Sequence, residues 1–257
     1  MITDFKDKKL VEYLEPGKKY LIRFGHGLGD TLMFMPIFEK LQQLYSRCAI
    51  DLYVESGQEQ LFESYPEKDS RDHDLVFSLT FPMAESTKLT KAEKCCIDEI
   101  GIEYNGIREV TKLREESSPF VGVHFQGTAL PNSVNCPPNI AQKIWNDIIK
   151  AGFIPIECHY QHMFHNPIND KYGFISNTVR NCNPEIRKLV GLVQRCYAFI
   201  GVASGPFVVA LSVMPKNTLY LQRLHKLETY TRNEDVDRID ITQPYKDGCV
   251  ERWLKAL

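Results

Sequence analysis

The chain is predicted to be an α/β protein built as two Rossmann-like domains facing a cleft, and three observations carry that prediction. Strand-length apolar runs alternate with helix-spaced segments along the 257 residues. Twice, once near each end, an apolar strand runs into a glycine-containing loop that opens a helix, at 25–31 and at 201–206. Between these, Glu109 to Pro119 is a charged, polar run that reads as an interdomain linker.

Taken in order, the first half predicts strands near 19–24, 48–54 and 74–79 and helices near 31–46, 57–65 and 90–100. The second half predicts strands near 119–125, 153–157, 172–175, 197–202, 217–221 and 236–241, with helices near 138–151, 184–195 and 205–214. The domains are accordingly set at 1–114 and 115–257, and Asp247 to Leu257 is predicted to be a helix that packs back across the other half. No short repeat and no low-complexity tract interrupts this βαβ grammar.

Composition narrows the function classes. Lys+Arg of 31 against Asp+Glu of 33 gives a net charge of −2, so no global basic field advertises nucleic acid or an anionic membrane. No run of 18 apolar residues is present and the amino terminus is charged and polar, so no transmembrane segment or signal is predicted and the protein is expected in the cytoplasm. The eight cysteines show no C-x-x-C spacing and read as reduced, packed thiols. Cys158-His159 with His162 and His165 is the one cluster with metal-like spacing, but its neighbours Tyr160, Met163 and Phe164 suit a packed loop. His159 is instead a candidate cleft residue, in the loop expected after the strand ending near 157.

The stretch Arg23-Phe24-Gly25-His26-Gly27-Leu28-Gly29-Asp30-Thr31 is the most informative. It follows the apolar strand Lys19 to Phe24 and leads into the helix-spaced run Leu32 to Leu44, with glycines to allow a tight turn against a ligand and a carboxylate at the bend. Gly25, Gly27 and Gly29 alternate rather than follow G-x-G-x-x-G, and no Walker lysine follows, which excludes an ordinary NAD or ATP site. The competing structural reading is that Asp30 caps the helix. Downstream, Ser204 and Gly205 precede Pro206, a residue favoured at the first helical position, and the helix start offers free N–H groups to a phosphate.

Arg23, Gly25, Leu28-Gly29-Asp30 and Pro36 resemble the amino-terminal signature of the ADP-heptose:lipopolysaccharide heptosyltransferase-like family, glycosyltransferase family 9. Tyr197 to Pro206 looks like that family's strand and donor-phosphate loop, usually written Asp-Ser/Thr-Gly-Pro. The resemblance implies the GT-B architecture, with an acceptor-side first domain and a nucleotide-sugar-binding second domain. It further implies an inverting transfer in which Asp30 takes the proton of an acceptor hydroxyl as that oxygen attacks the anomeric carbon. Ser204, Gly205 and Pro206 would hold the donor phosphates, and Arg223, just beyond the strand 217–221, is a candidate cation of this chain's own for them. Gly27, Gly29, Gln126, Gly127, Thr128 and His159 would line the donor and cleft loops. Lys226 is a second cation near Arg223.

The chain departs from the family pattern in three places. Ala203 stands where Asp is common, Val208 stands where a histidine is common, and Asn132 to Pro138 lacks the basic residue and Trp-Pro that often open the first helix of the second domain. The Asp-x-Asp late in the chain, Asp235-Val-Asp237, lies among Arg232, Asn233, Glu234 and Arg238 and reads as solvated surface, so no metal site and no cofactor are expected beyond a nucleotide-diphosphate sugar as co-substrate. Two acceptors fit: a cell-surface or lipopolysaccharide-type saccharide, or a hydroxylated DNA base, for which Lys88, Lys91, Lys94, Lys112 and Arg114 would contact phosphates. Ala203 and Val208 keep a nonenzymatic nucleotide-sugar sensor open as a third reading.

Overall fold

A computed structural model of the chain describes residues 2–3, 8–54, 57–62, 72–82, 89–107, 118–127, 135–160, 181–183, 186–223, 226–231 and 236–257. They form two compact units. Met1–Arg108 group with Glu228–Arg232, and Glu109–Leu227 group with Asn233–Leu257. A short stretch late in the chain therefore belongs to the first unit rather than to the sequence that surrounds it.

The first unit is a sheet of β1 (Ile2–Thr3), β2 (Lys19–Phe24), β3 (Ala49–Val54) and β4 (Leu75–Ser78), in the order β1-β4-β2-β3 with every pair parallel. Tyr20, Leu21, Ile22 and Phe24 are buried on both faces of β2, as a central parallel strand requires. β3 is an edge strand, and its Tyr53 is half exposed. Helix α1 (Leu28–Leu44) makes the crossover from β2 to β3, while β4 returns on the other side of β2. That reversal is a topological switch point, the place where open α/β sheets present ligand-binding loops. α2 (Lys91–Cys95) runs on as a π-turn over Cys96–Ile100 and ends at Gly101, whose φ of 91° is left-handed. The helix expected near 57–65 is reduced to a short 3-10 turn, Gln58–Leu61, and residues 63–71 lie outside the described residues.

The second unit is a six-stranded parallel sheet of β5 (Phe120–His124), β6 (Ile154–Tyr160), β7 (Asn181–Asn183), β8 (Ala198–Gly201), β9 (Thr218–Gln222) and β10 (Asp237–Asp240). Its order β10-β9-β8-β5-β6-β7 is the Rossmann order 3-2-1-4-5-6 counted within the unit, which puts the switch point between β5 and β8. Val121, Val123, Ala198, Ile200, Val202, Leu219 and Leu221 present one apolar face. Helix α3 (Pro138–Lys150) covers it with Ile140, Ala141, Ile144, Trp145 and Ile148, spaced to share one side of the helix. Helix α4 (Ile186–Gln194) is likewise one-sided, with Ile186, Leu189 and Val193 fully buried. Helix α5 (Gly205–Val213) is apolar all round and buried from Pro206 to Ser212, with Phe207 stacked on Tyr220 of β9 at 4.7 Å.

The carboxy-terminal helix α6 (Cys249–Ala256) packs within its own unit. Its Val250 and Leu254 join the core under α3, the Trp253 indole donates to Asp237 at 2.7 Å, and Tyr245 donates to Asp147 of α3 at 2.8 Å. The strand expected near 172–175 and the linker run at 108–117 lie outside the described residues. Among the described side chains the cysteines are free thiols, and Cys95, Cys96, Cys136, Cys158 and Cys196 are buried. No described helix is long and apolar enough to cross a membrane.

Gly122, in the centre of β5, has no room for a side chain. An added Cβ would lie 2.8 Å from the Phe199 ring and 3.1 Å from the Cys158 sulfur. Gly122→Val is therefore expected to destabilise the protein by about 1–3 kcal/mol through overpacking, read as a lower urea midpoint at unchanged m-value.

Candidate active site

At the switch point of the first sheet, the loop leaving β2 places Asp30 in the first turn of α1. The N-cap is Gly27, so Asp30 does not cap the helix, and its carboxylate is left for other partners near the positive end of the helix dipole. The glycines are not demanded by backbone conformation, since Gly27 sits at φ −62° and none of the three has a positive φ. An added Cβ at Gly25 or Gly27 meets nothing within 4 Å, so these two positions leave open space beside Asp30, whereas Gly29 is buried.

Two side chains grip the carboxylate. His26 Nδ1 lies 3.4 Å from Asp30 Oδ2, and Lys91 Nζ forms an ion pair with Oδ1. The Phe81 amide donates to His26 Nε2 at 3.2 Å, which makes Nε2 the acceptor and assigns the imidazole proton to Nδ1, facing Asp30. His26 is held in turn: its ring packs on Phe24 at 4.7 Å, and Gln58 Nε2 donates to its carbonyl at 2.9 Å while Gln58 Oε1 takes the Thr31 hydroxyl. Phe24 stacks on Phe34 at 4.2 Å and meets Phe81 edge-on at 4.9 Å, so an aromatic floor lies beneath the loop.

Lys91 is fixed by a capping box. Thr90 Oγ1 accepts from the Glu93 amide at 3.2 Å and Glu93 accepts from the Thr90 amide at 2.7 Å, which starts α2 at Lys91. Its ammonium lies 5.1 Å from the centroid of the Tyr230 ring, within cation–π range. Tyr230 comes from the stretch 228–232 that groups with the first unit. Burial, the largest influence on Asp30, favours its neutral acid, but the His26 hydrogen bond and the Lys91 charge outweigh it, and the net shift is downward from the ordinary carboxylate value. Burial, aided by the charge of Asp30, drives the Tyr230 phenol upward, so it stays neutral.

Lys91 thus faces inward, 14 % exposed, and is not a solvent-facing contact for a DNA phosphate. Lys88, Lys112 and Arg114 lie outside the described residues. His26, Lys91 and Tyr230 are the site residues that sequence reading missed. The Thr90-x-x-Glu93 capping box marks where α2 begins, but nothing local reports that its first residue meets Asp30.

In the second unit the polar residues gather at the carboxyl ends of β5, β8 and β9. Gln126 and Gly127 follow β5 and are buried. The Gly127 amide donates to Asn135 Oδ1 at 2.8 Å, the Cys136 amide to the Phe125 carbonyl at 2.9 Å, and Arg223 Nη1 to the Asn135 carbonyl at 2.9 Å. The Val202 amide donates to the His124 carbonyl at 3.0 Å, tying the end of β8 to that of β5. Gly127, Asn135 and the exposed Arg223 are brought together by these bonds, with Gln126 next to Gly127 in the chain and Ser204 and Gly205 on the loop after β8 at the switch point.

The Ser204 hydroxyl is engaged. It accepts from the Phe207 amide at 3.3 Å and donates its proton to the Val202 carbonyl at 3.0 Å, so it caps α5 and has no second proton for a phosphate. The Gly205 amide, at the first helical position before Pro206, has no intrahelical acceptor and is the one oriented to meet an anion. Val208 is packed in the core of α5, and Ala203 is buried.

His159 is not in a loop. β6 runs on to Tyr160, and the His159 backbone pairs with Cys182 of β7; its side chain lies outside the description, as do Thr128, His162, His165, Asn132 and Asp235. Asp237, the other half of Asp-x-Asp, is the acceptor for Trp253. Lys226 is exposed.

No family model matches the chain, and no curated protein matches it in sequence. Solved structures do match. The chain is similar to the heptosyltransferase WaaC of E. coli, determined with ADP, at 11 % identity and a TM-score of 0.63 over 93 % of this chain and 99 % of that one. It is similar to a glycosyltransferase family 9 protein from Veillonella parvula DSM 2008 at 12 % identity and a TM-score of 0.59, covering 93 % and 95 %. TibC, the iron-containing dodecameric glycosyltransferase of enterotoxigenic E. coli H10407, matches at 16 % identity and a TM-score of 0.61 over 92 % of this chain and 65 % of its own, so the present chain spans about two-thirds of TibC. The chain therefore has the heptosyltransferase-like α/β fold of glycosyltransferase family 9.

Because its hydroxyl serves the helix, Ser204→Ala is expected to lower stability by about 1 kcal/mol. Ser204→Asp, which keeps a capping oxygen, is expected to retain most of it, with thermal unfolding of the two variants as the measurement.

Proposed function

We propose that the chain is an inverting, metal-independent glycosyltransferase that moves a sugar from a nucleotide-diphosphate sugar to an acceptor hydroxyl. The observation that carries this is Asp30: a carboxylate at the switch point of a family 9 fold, one-fifth exposed and held ionised by His26 and Lys91. At neutral pH such a group is always in its base form. As the acceptor oxygen attacks the anomeric carbon, Asp30 accepts the hydroxyl proton, the bond from that carbon to the diphosphate breaks, and the anomeric configuration inverts.

The charge that develops on the departing diphosphate needs stabilisation, and the second unit supplies it. The Gly205 amide, the positive end of α5 and the Arg223 guanidinium are the groups assigned to it, with Gln126 and Gly127 as further donor contacts. Ser204 and Pro206 act by starting the helix in the right place. We assign neither a metal nor a cofactor a part in the transfer. A nucleotide sugar as donor is supported by WaaC, determined with ADP, and by TibC, determined with ADP-D-β-D-heptose. A cell-surface saccharide as acceptor is supported by the likeness to the E. coli ADP-heptose lipopolysaccharide heptosyltransferase II, at 11 % identity and a TM-score of 0.58.

The test is a thermal-shift screen against ADP-, UDP-, GDP-, CMP- and dTDP-sugars, since a ligand of the native state raises apparent stability. One donor class is expected to raise the melting temperature. Asp30→Asn is expected to keep that shift and to lose about a hundredfold or more in transfer, the scale of general-base catalysis. No shift with any sugar nucleotide, or equal loss of binding and turnover in Asp30→Asn, defeats the proposal.

A further inference from the structure

Lys91 pairs with the proposed base from a different element, the start of α2, than the loop that carries Asp30. Each carboxylate oxygen of Asp30 has one partner: Oδ2 faces His26 Nδ1 and Oδ1 is paired with the Lys91 ammonium. A carboxylate oxygen carries two lone pairs, so this bracket fixes the plane of the group while leaving an acceptor position on each oxygen for a substrate hydroxyl. The ammonium is itself held, by the start of α2 at the Thr90 capping box and by the Tyr230 ring 5.1 Å away. An ion pair of two long surface side chains contributes little, but this lysine is 14 % exposed and its pairing is set by two other elements.

We propose that Lys91, seated over the Tyr230 ring, is a positioning residue for the base: it holds one oxygen of the Asp30 carboxylate, so that the acceptor hydroxyl meets a group aimed in one direction. The proposal rests on Asp30 being the base, and it adds a residue that the sequence motif does not contain. Among the described residues, the groups that face Asp30 are His26 from the β2 loop, Lys91 from α2 and, beyond the ammonium, the neutral Tyr230 phenol of the 228–232 stretch. The imidazole accepts from the Phe81 amide at Nε2 and faces Asp30 through Nδ1, which fixes the ring. The ammonium adds its charge to the hydrogen bond that His26 supplies.

The sign follows. With Lys91 present, Asp30 titrates below the ordinary carboxylate value; with the charge removed, burial is opposed only by His26 and the titration moves up. The test follows the Asp30 carboxyl carbon by ¹³C NMR in the full chain, assigned by its loss in Asp30→Asn, with no ligand needed. Lys91→Met is expected to raise the titration, and Lys91→Arg, which keeps the charge, to return it toward the wild-type value. Should Met prevent folding, Lys91→Gln is titrated in its place with the same expectation. In parallel, release of ADP from ADP-D-β-D-heptose, with water as acceptor, is expected to fall about ten- to a hundredfold in Lys91→Met at neutral pH, and to recover in Lys91→Arg, by the loss of an oriented base.

An Asp30 titration that is ordinary in the wild type, or that ignores the loss of Lys91, overturns the role given to Lys91. Undiminished ADP release by Asp30→Asn instead overturns the role given to Asp30, so the two failures are told apart.

Discussion

Every strand pair in both sheets is parallel, and that single constraint determines where chemistry can sit. A parallel neighbour is reached only by a crossover, so each strand must leave the sheet at its carboxyl end and return at its amino end. All loops that follow strands then share one edge of their sheet, and where successive crossovers go to opposite sides the loops part and leave backbone amides and side chains uncovered. In the first unit that point lies between β2 and β4, and it receives His26, Asp30 and Phe81. In the second it lies between β5 and β8, and it receives Gln126, Gly127, Ser204 and Gly205.

The two sites use this placement differently. The first is built around one ionised carboxylate. Taking a carboxylate out of water is costly unless charge and hydrogen bonds replace the hydration, and here Lys91 and His26 replace it. Because the folded pKa of Asp30 is depressed, its contribution to stability is fully present above the ordinary carboxylate pKa and is lost as the pH falls through the folded value. The aromatic floor of Phe24, Phe34 and Phe81 carries no charge, but it holds the His26 ring that one carboxylate oxygen depends on.

The second site is built from backbone. Its side-chain bonds, Gly127 to Asn135, Arg223 to Asn135 and Ser204 to both Val202 and Phe207, hold loops and a helix start in place. The helix start itself is insensitive to side-chain identity at Ala203 and Val208, since neither contributes the amide at Gly205 or the helix dipole. That explains how the family's common Asp and His can be missing while the helix start they flank is kept.

The sequence by itself determined the alternation of strands and helices, both switch-point loops and the place of Asp30 at the opening of α1, because these are local: apolar period, a glycine loop after a strand, Pro206 at a helix start. It also determined α3 and α5, whose apolar faces are written in consecutive residues. Tertiary structure alone decided the partners. That Lys91 faces Asp30 rather than solvent, that Tyr230 joins the first unit, that the Ser204 proton goes to Val202, that His159 stands in a strand and that α6 packs on α3 are all contacts between distant or competing positions. A charged or polar residue has the same local signature whether it is solvated or paired. Only packing, which removes water from some of these groups and not others, distinguishes the two.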